Sequence, residues 1–298
     1  MNINNLIIKE IRRSINKNLF LDQKEVFCIN SEIGNYLEYF KNTIFAYYFD
    51  SLRIIILCAN MNALSIIVPV YNEENTINVI LDKIKNVRLL NEMNKDIVII
   101  NDGSTDNSDN LINKYIEDNK FLSIHYLTHK VNEGKGASIQ SALKSISGNY
   151  VIIQDADLEY DPEEYNILLR PMIDGFADVV YGSRFISGNP HRILFFGNRM
   201  GNVILTLLSN IFTNLNLSDI QSCYKLFKTD IIKTLTLKEN GFGFEAEVTA
   251  RISKIPKIKI YEVGISYHGR TYEEGKKLKF RDALRIFYCV IKYNIFAK

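Results

Sequence analysis

The rhythm of hydrophobic and polar positions changes near residue 64. From there, short apolar runs rich in β-branched and aromatic residues, at Leu64–Val70, Asp96–Ile100, Ser123–Leu127, Tyr150–Ile153 and Asp178–Tyr181, alternate with other segments. Those segments, Asn75–Lys85, Ser108–Asp118, Lys135–Ser145 and Pro162–Ile173, carry apolar residues at helical spacing. Runs of the first kind suit strands covered on both faces, and segments of the second kind suit amphipathic helices. The alternation predicts an α/β fold: an open, mostly parallel sheet with helices on both faces. After Tyr181 the order loosens into a long apolar helical stretch at Ile193–Leu217, a strand at Ile258–Ile265 and a last helix at Phe280–Phe296. Residues 1–60 read differently, with no proline, one glycine and no site motif. They form an expected appendage, with Leu6–Ile15 as a short helix and Leu52–Leu57 as a strand or buried helical segment. Met61 is a candidate functional start.

Composition narrows the partners. Lysine plus arginine number 36 against 34 acidic residues, so a net charge of +2 gives no reason to expect nucleic acid. Cys28, Cys58, Cys223 and Cys289 lie far apart without metal-ligand or redox spacing, and read as small buried apolar residues in a reducing compartment. The longest apolar candidate for a membrane span, Thr43–Ala59, is interrupted by Asp50 and Arg53. The basic, asparagine-rich first twenty residues lack the apolar block of a secretion signal. The expected location is cytoplasmic.

In an open α/β sheet, ligands bind beyond the carboxyl ends of the strands, so the polar residues there carry the candidate chemistry. The first run ends in Pro69-Val70-Tyr71-Asn72-Glu73-Glu74, where the proline is expected to stop the ladder and Asn72 to cap the next helix. The second ends in Asn101-Asp102-Gly103-Ser104-Thr105-Asp106; Asp106 suits a helix cap, and Asp102 is the candidate for holding a base or ribose. Asn132-Glu133-Gly134-Lys135-Gly136-Ala137 opens a helix, where glycines permit close backbone approach to an anion and Lys135 adds charge. The densest signal is Asp155-Ala156-Asp157 with Glu159, straight after an apolar strand. Carboxylates rarely gather at a buried strand end without a counter-charge, and hard oxygen ligands suit Mg²⁺ or Mn²⁺ beside substrate phosphates. Asp161 before Pro162 is explained as a cap.

Taken in order, IVPVYNEE, NDGSTD, NEGKGAS, QDADLE and the later YGSRF resemble the family-2 glycosyltransferases of the glycosyltransferase-A fold, over about Leu64 to Arg285. SDIQSCYKLFK, GFGFEAEV and EVGISYHGRTYEEGKK resemble the branch containing dolichyl-phosphate mannose synthase and bacterial polyprenyl-phosphate sugar transferases. The resemblance implies a glycosyltransferase domain over 61–298, with a donor-binding half at about 64–183 and an acceptor-side half at about 184–298. It further implies inverting transfer from a GDP- or UDP-sugar in cell-envelope or glycan biosynthesis. Pro69, Tyr71, Glu73, Asp102, Lys135 and Asp155 then belong to donor binding, and Asp155, Asp157 and Glu159 to the metal. That branch often has glutamine where this chain has Glu159.

The acceptor separates two readings. A lipid phosphate is already anionic and needs positioning, for which Arg184, Arg199 and Arg270 are candidates; Lys276 and Lys277 read as a solvated face on spacing alone. A hydroxyl acceptor needs a base, and of Asp219, Glu245 and Glu247 the favoured one is Glu245. Ile193–Phe196 and Val203–Leu208, with the helix at Leu284–Phe296, read either as core or as a peripheral contact on the cytoplasmic face of a membrane. A nucleotidyltransferase would carry a glycine- and arginine-rich loop where PVYNEEN stands, and a non-catalytic nucleotide-sugar-binding protein is the remaining rival.

Overall fold

Most of the apolar runs become strands covered on both faces, and Ser123–Leu127 becomes a half-exposed strand at the sheet edge. Ile66, Ile67 and Val68 in β1 (Ala63–Val70), Ile97 to Ile100 in β2 (Asn94–Asp102) and Ile152 in β4 (Tyr150–Ile153) have no exposure to solvent. The computed structural model describes residues 63–296 apart from 187–189, 194, 272, 276, 278 and 279. The expected appendage, with its two candidate elements, lies outside them, as does Lys276. Among the described residues β3 (Ser123–His129), β5 (Val179–Ser183), β6 (Lys225–Lys228) and β7 (Ile260–Gly264) complete one seven-stranded sheet in the order 3-2-1-4-6-5-7.

Around it lie α1 (Ile77–Asn86), α2 (Ser108–Asp118), α3 (Lys135–Ala142), α4 (Tyr165–Ile173), α5 (Phe196–Thr213), α6 (Thr229–Thr234), α7 (Phe244–Ile252) and α8 (Phe280–Ile291). The mostly parallel sheet agrees with the expectation. β6 does not: it runs antiparallel between β4 and β5 and separates them. Its four residues begin and end in lysine, which hides the strand signal, yet Lys225 is fully buried with its ammonium 5.1 Å from the centre of the Tyr181 ring. α7 also escapes periodicity, because all of its residues except Arg251 are buried. The last helix ends at Ile291 and widens into a π-type turn over Lys292–Phe296.

The chain reverses direction of growth at β1: β2 and β3 add on one side and β4 on the other. Pairing of β1 with β2 runs through Pro69 and Val70, but pairing with β4 ends at Ile67 opposite Ile153. Ile67 O accepts from Gln154 N, so the like-facing Pro69 turns its missing N–H toward the β4 side. The proline therefore ends one ladder and leaves the other intact, opening the crevice at the switch point. Asn72 is no helix cap. It sits at φ 49°, and its Oδ1 accepts from Thr105 N at 2.8 Å, tying the loop after β1 to the loop after β2.

Two glycines yield opposite expectations. A Cβ on Gly136 in α3 would lie 2.0 Å from Glu239 O, whereas one on Gly201 in α5 meets nothing within 4 Å. Gly136→Ala is expected to destabilise by about 1–3 kcal/mol through overpacking. Gly201→Ala should stabilise by about 0.4–1 kcal/mol through lost freedom of the unfolded chain. Urea melts of both variants check the opposed signs; a shared sign would refute the packing of α3.

Candidate active site

A cavity of about 830 Å³ opens at the carboxyl ends of β1, β2 and β4. Pro69, Tyr71, Glu73, Asp102, Lys135, Asp155, Asp157, Glu159, Arg184, Glu245 and Arg270 all line it. These candidates are thus brought together; Arg199 is not. It lies exposed on α5 with its guanidinium 5.6 Å from the centre of the Phe185 ring.

β4 sets the centre. Gln154, fully buried, accepts at Oε1 from Tyr165 and Tyr224 hydroxyls at 2.7 Å each and donates to Asp155 O at 2.9 Å. The turn carrying Asp155 and Asp157 is therefore fixed by its own strand end. Lys135 Nζ lies 2.9 Å from Asp155 Oδ1 and 3.2 Å from Glu245 Oε1. Burial works against the charge on Asp155, but Lys135 overcomes it and holds the carboxyl below its ordinary range. Asp157 goes the other way: burial, then the neighbouring Asp155 and Glu159 charges, push it up to about 7 against the pull of Arg270.

Arg270 answers the crowding. Its Nη2 lies 2.8 Å from Asp157 Oδ2 and 3.1 Å from Glu73 Oε1, and its backbone N–H donates to Glu159 Oε1 at 2.8 Å. Lys277, which spacing alone assigns to a solvated face, instead reaches Glu73 Oε1 at 2.6 Å and also donates to Tyr71 O. No local signal marks it, because its partner lies 204 positions earlier.

The groups expected at the phosphates, the base and the metal also make contacts within the fold. The glycines of Gly134-Lys135-Gly136 pack against backbone, where Cβ atoms would strike Asn240 O at 2.5 Å and Glu239 O at 2.0 Å and Ala137 N donates to Asn240 O, while Gly134 and Lys135 also line the cavity. Asp102 fastens the same loop, accepting from Glu133 N at 2.9 Å and Gly134 N at 2.8 Å, with His129 Nδ1 at 2.7 Å. Among the described residues no three acidic, histidine or cysteine groups converge to hold a metal. Glu159 Oε2 accepts from the Tyr267 hydroxyl at 2.9 Å and its Oε1 from the Arg270 N–H at 2.8 Å. Asp155 and Asp157 are hard oxygen donors of the kind a divalent cation takes, with Lys135 on the first and Arg270 on the second standing where its charge would go.

On the acceptor side, Arg184 is bound to the fully buried Asp219 through Nε at 2.6 Å and Nη2 at 2.9 Å. Glu247 accepts from Lys238 N, Glu239 N and Arg251 Nε. Neither carboxylate lines the cavity, whereas Glu245 does. Sequence reading also missed Asn198, Gln221 and Cys223 as lining residues. Cys223 and Cys289 are free and buried, and burial pushes the Cys223 thiol well up.

The model of the family described as glycosyl transferase family 2 matches residues 65–236. The undecaprenyl-phosphate mannosyltransferase of Micrococcus luteus is 25% identical over 216 residues, covering 70% of this chain and 85% of that protein. The dolichyl-phosphate beta-glucosyltransferase of Dictyostelium discoideum is 29% identical over 234 residues, covering 72% and 68%. Glucosyl-3-phosphoglycerate synthase from Mycobacterium tuberculosis, solved with Mn²⁺, uridine diphosphate and phosphoglyceric acid, superposes with a TM-score of 0.60 at 17% identity. That alignment covers 78% of this chain and 79% of the other and establishes a shared fold.

Removing Arg270 strands buried carboxylates. Arg270→Met is expected to cost on the order of 3 kcal/mol in urea denaturation, and adding Asp157→Asn should recover part of the loss. Simple additivity of the two changes would rule out the pairing as the cause.

Proposed function

The chain belongs to glycosyl transferase family 2, and from that premise we propose that it moves a sugar from a nucleoside-diphosphate sugar to a polyprenyl phosphate, with a divalent cation. The observation that carries this reading is the cavity at the switch point, acidic where β1 and β4 end and walled on its far side by α5 and α8. Those two helices pack against each other and turn apolar side chains outward: Phe196, Val203, Ile204, Leu207 and Ile211 from α5, and Leu284, Phe287 and Tyr288 from α8. Among the described residues no helix is long and apolar enough to cross a membrane. The exposed faces suit a surface contact with one, where a lipid acceptor resides. The two polyprenyl-type relatives support the same acceptor.

Asp155 and Asp157 would hold the cation, which when bound supplies Lewis-acid stabilisation of the diphosphate's growing charge. The chain's own groups do the rest. An acceptor phosphate oxygen attacks the anomeric carbon, the bond to the diphosphate breaks, and its electron pair leaves with the nucleoside diphosphate. No proton has to be removed, so the requirement is alignment and charge compensation. Lys135 and Lys277 put cations at the diphosphate side, and Arg270, expected at the acceptor phosphate, joins them by lying between Glu73 and Asp157. A hydroxyl acceptor would place the base role on Glu245, whose Oε1 is engaged by Lys135.

Two measurements test the reading. With purified protein, Mn²⁺ or Mg²⁺ and polyprenyl phosphate, a panel of GDP- and UDP-sugars should include one that releases nucleoside diphosphate, and Asp157→Asn should abolish that release. Release that needs a sugar hydroxyl acceptor instead, and fails in Glu245→Gln, would favour the alternative. Leu207→Asp and Ile211→Asp should each weaken co-sedimentation with anionic lipid vesicles by about tenfold, while leaving the melting temperature unchanged. Unaltered vesicle binding would remove the membrane contact from the proposal.

A further inference from the structure

The hydrogen-bonding groups of the cavity fall into two classes. The carboxylates Asp102, Glu73 and Asp155 on the donor-binding half are committed: Asp102 to loop N–H groups and His129, Glu73 to Arg270, Lys277 and Thr76, Asp155 to Lys135. Four buried polar atoms without a hydrogen-bond partner, Asn198 Nδ2, Gln221 Nε2, Glu245 Oε2 and Arg270 Nε, belong to residues that line the same cavity. All four come from the second half of the chain. A buried polar atom left without a partner bears the full cost of its desolvation, so several in one wall mark a place where ligand atoms complete the bonding.

The chemistry of the set narrows the ligand. It offers N–H donors together with one carboxylate oxygen. A phosphate would match the donors and be repelled by Glu245; a sugar ring, whose hydroxyls both donate and accept, satisfies both kinds of group. Position agrees. Lys135 Nζ spans Asp155 and Glu245, so Glu245 stands one ammonium away from the carboxylates assigned to the diphosphate end, where the sugar must lie. Gln221 is held on both sides, by its own N–H on Asp219 Oδ1 at 3.1 Å and by Cys223 N on the Tyr160 hydroxyl at 3.2 Å. Terminal amide and carboxylate torsions are broad, so the Asn198, Gln221 and Glu245 groups are free to turn toward a ligand.

We infer that Gln221 and Glu245, with Asn198 beside them, hold hydroxyls of the donor's sugar ring and thereby select the sugar that is transferred. The inference rests on the nucleotide-sugar reading and adds the specificity-determining residues. Selection follows because a site built to bond a hydroxyl discriminates strongly against a sugar that lacks it or presents it elsewhere.

Isothermal titration of the full chain with Mn²⁺ tests it, using UDP and GDP alone and as their glucose, galactose, mannose and N-acetylglucosamine derivatives. The wild-type chain should bind one of the sugar derivatives more tightly than the bare diphosphate. Gln221→Met and Glu245→Gln should lose that preference by roughly tenfold or more, with the bare diphosphate bound as before. Retained diphosphate binding reports a folded site, and Glu245→Asp, which preserves the charge facing Lys135, serves if Glu245→Gln unfolds. An unchanged sugar preference in folded variants overturns the inference. So does a loss confined to polyprenyl phosphate, which would give these atoms to the acceptor. If the wild-type chain binds neither diphosphate nor sugar derivative, the donor reading itself falls, and this inference with it.

Discussion

Carboxylates crowd where β1 and β4 end, and the site can close only because cations from the far end of the chain meet them. Glu73 and Asp157 share Arg270, which lies 197 and 113 positions away in sequence, and Glu73 also takes Lys277. Burying charges is costly unless they are paired with good geometry, so these contacts argue for a defined arrangement more than for stability. Their consequence is topological. The acidic edge cannot be assembled by the first half of the chain alone, and the loop after β7 must return across the sheet edge to complete it.

Lys135 extends the same constraint sideways. Its helix starts against the backbone of Glu239 and Asn240, close enough that the glycines before and after it leave no space for a side chain. Glu239 in turn binds Arg285, Lys292 and the Tyr293 hydroxyl. Burial resists its ionisation, but those partners win and bring its carboxyl down to about 2. The cavity's acidic floor, through α3, and its outer wall, through α8, therefore hang on one short segment. A displacement of that segment would disturb both.

The fold was legible where periodicity reflects burial. β1, β2, β4 and β5 follow the alternation of apolar runs because strands covered on both faces must be apolar throughout, and α1, α2 and α4 follow it because surface helices must be amphipathic. β6 and α7 were not legible for the converse reason: Lys225 is a buried strand residue that reads as polar, and α7 is buried nearly all round and has no stripe. For the site, the strand-end rule located Glu73, Asp102, Asp155 and Asp157, since it depends on topology. It could not say how they were neutralised. Glu159 looks in sequence like a third ligand beside Asp157, yet it turns to Tyr267 and the Arg270 backbone. Lys277 looks like solvated charge, yet it binds Glu73. Such pairings join residues 108 to 204 positions apart, and no local window along the chain contains both partners.

α5 shows how one helix can meet two opposed demands. Gly197, Asn198, Gly201, Asn202 and Leu205 line the cavity, while Phe196, Ile204, Leu207 and Ile211 stand exposed on the other side. The spacing of each set is helical, so the two faces are consequences of a single pattern. An acceptor with an anionic head and a long apolar tail requires such a wall: small and polar residues inside, where the head reacts, and apolar residues outside, where the tail's surroundings begin. A polar sugar acceptor would give the outer face no purpose and would need a carboxylate base within reach. Asp219, bound to Arg184, and Glu247, bound to Arg251, do not line the cavity, and Glu245, which does, has one oxygen 3.2 Å from Lys135. An acceptor that arrives already ionised asks nothing of these carboxylates, and for that reason the phosphate reading agrees with both faces of the helix at once.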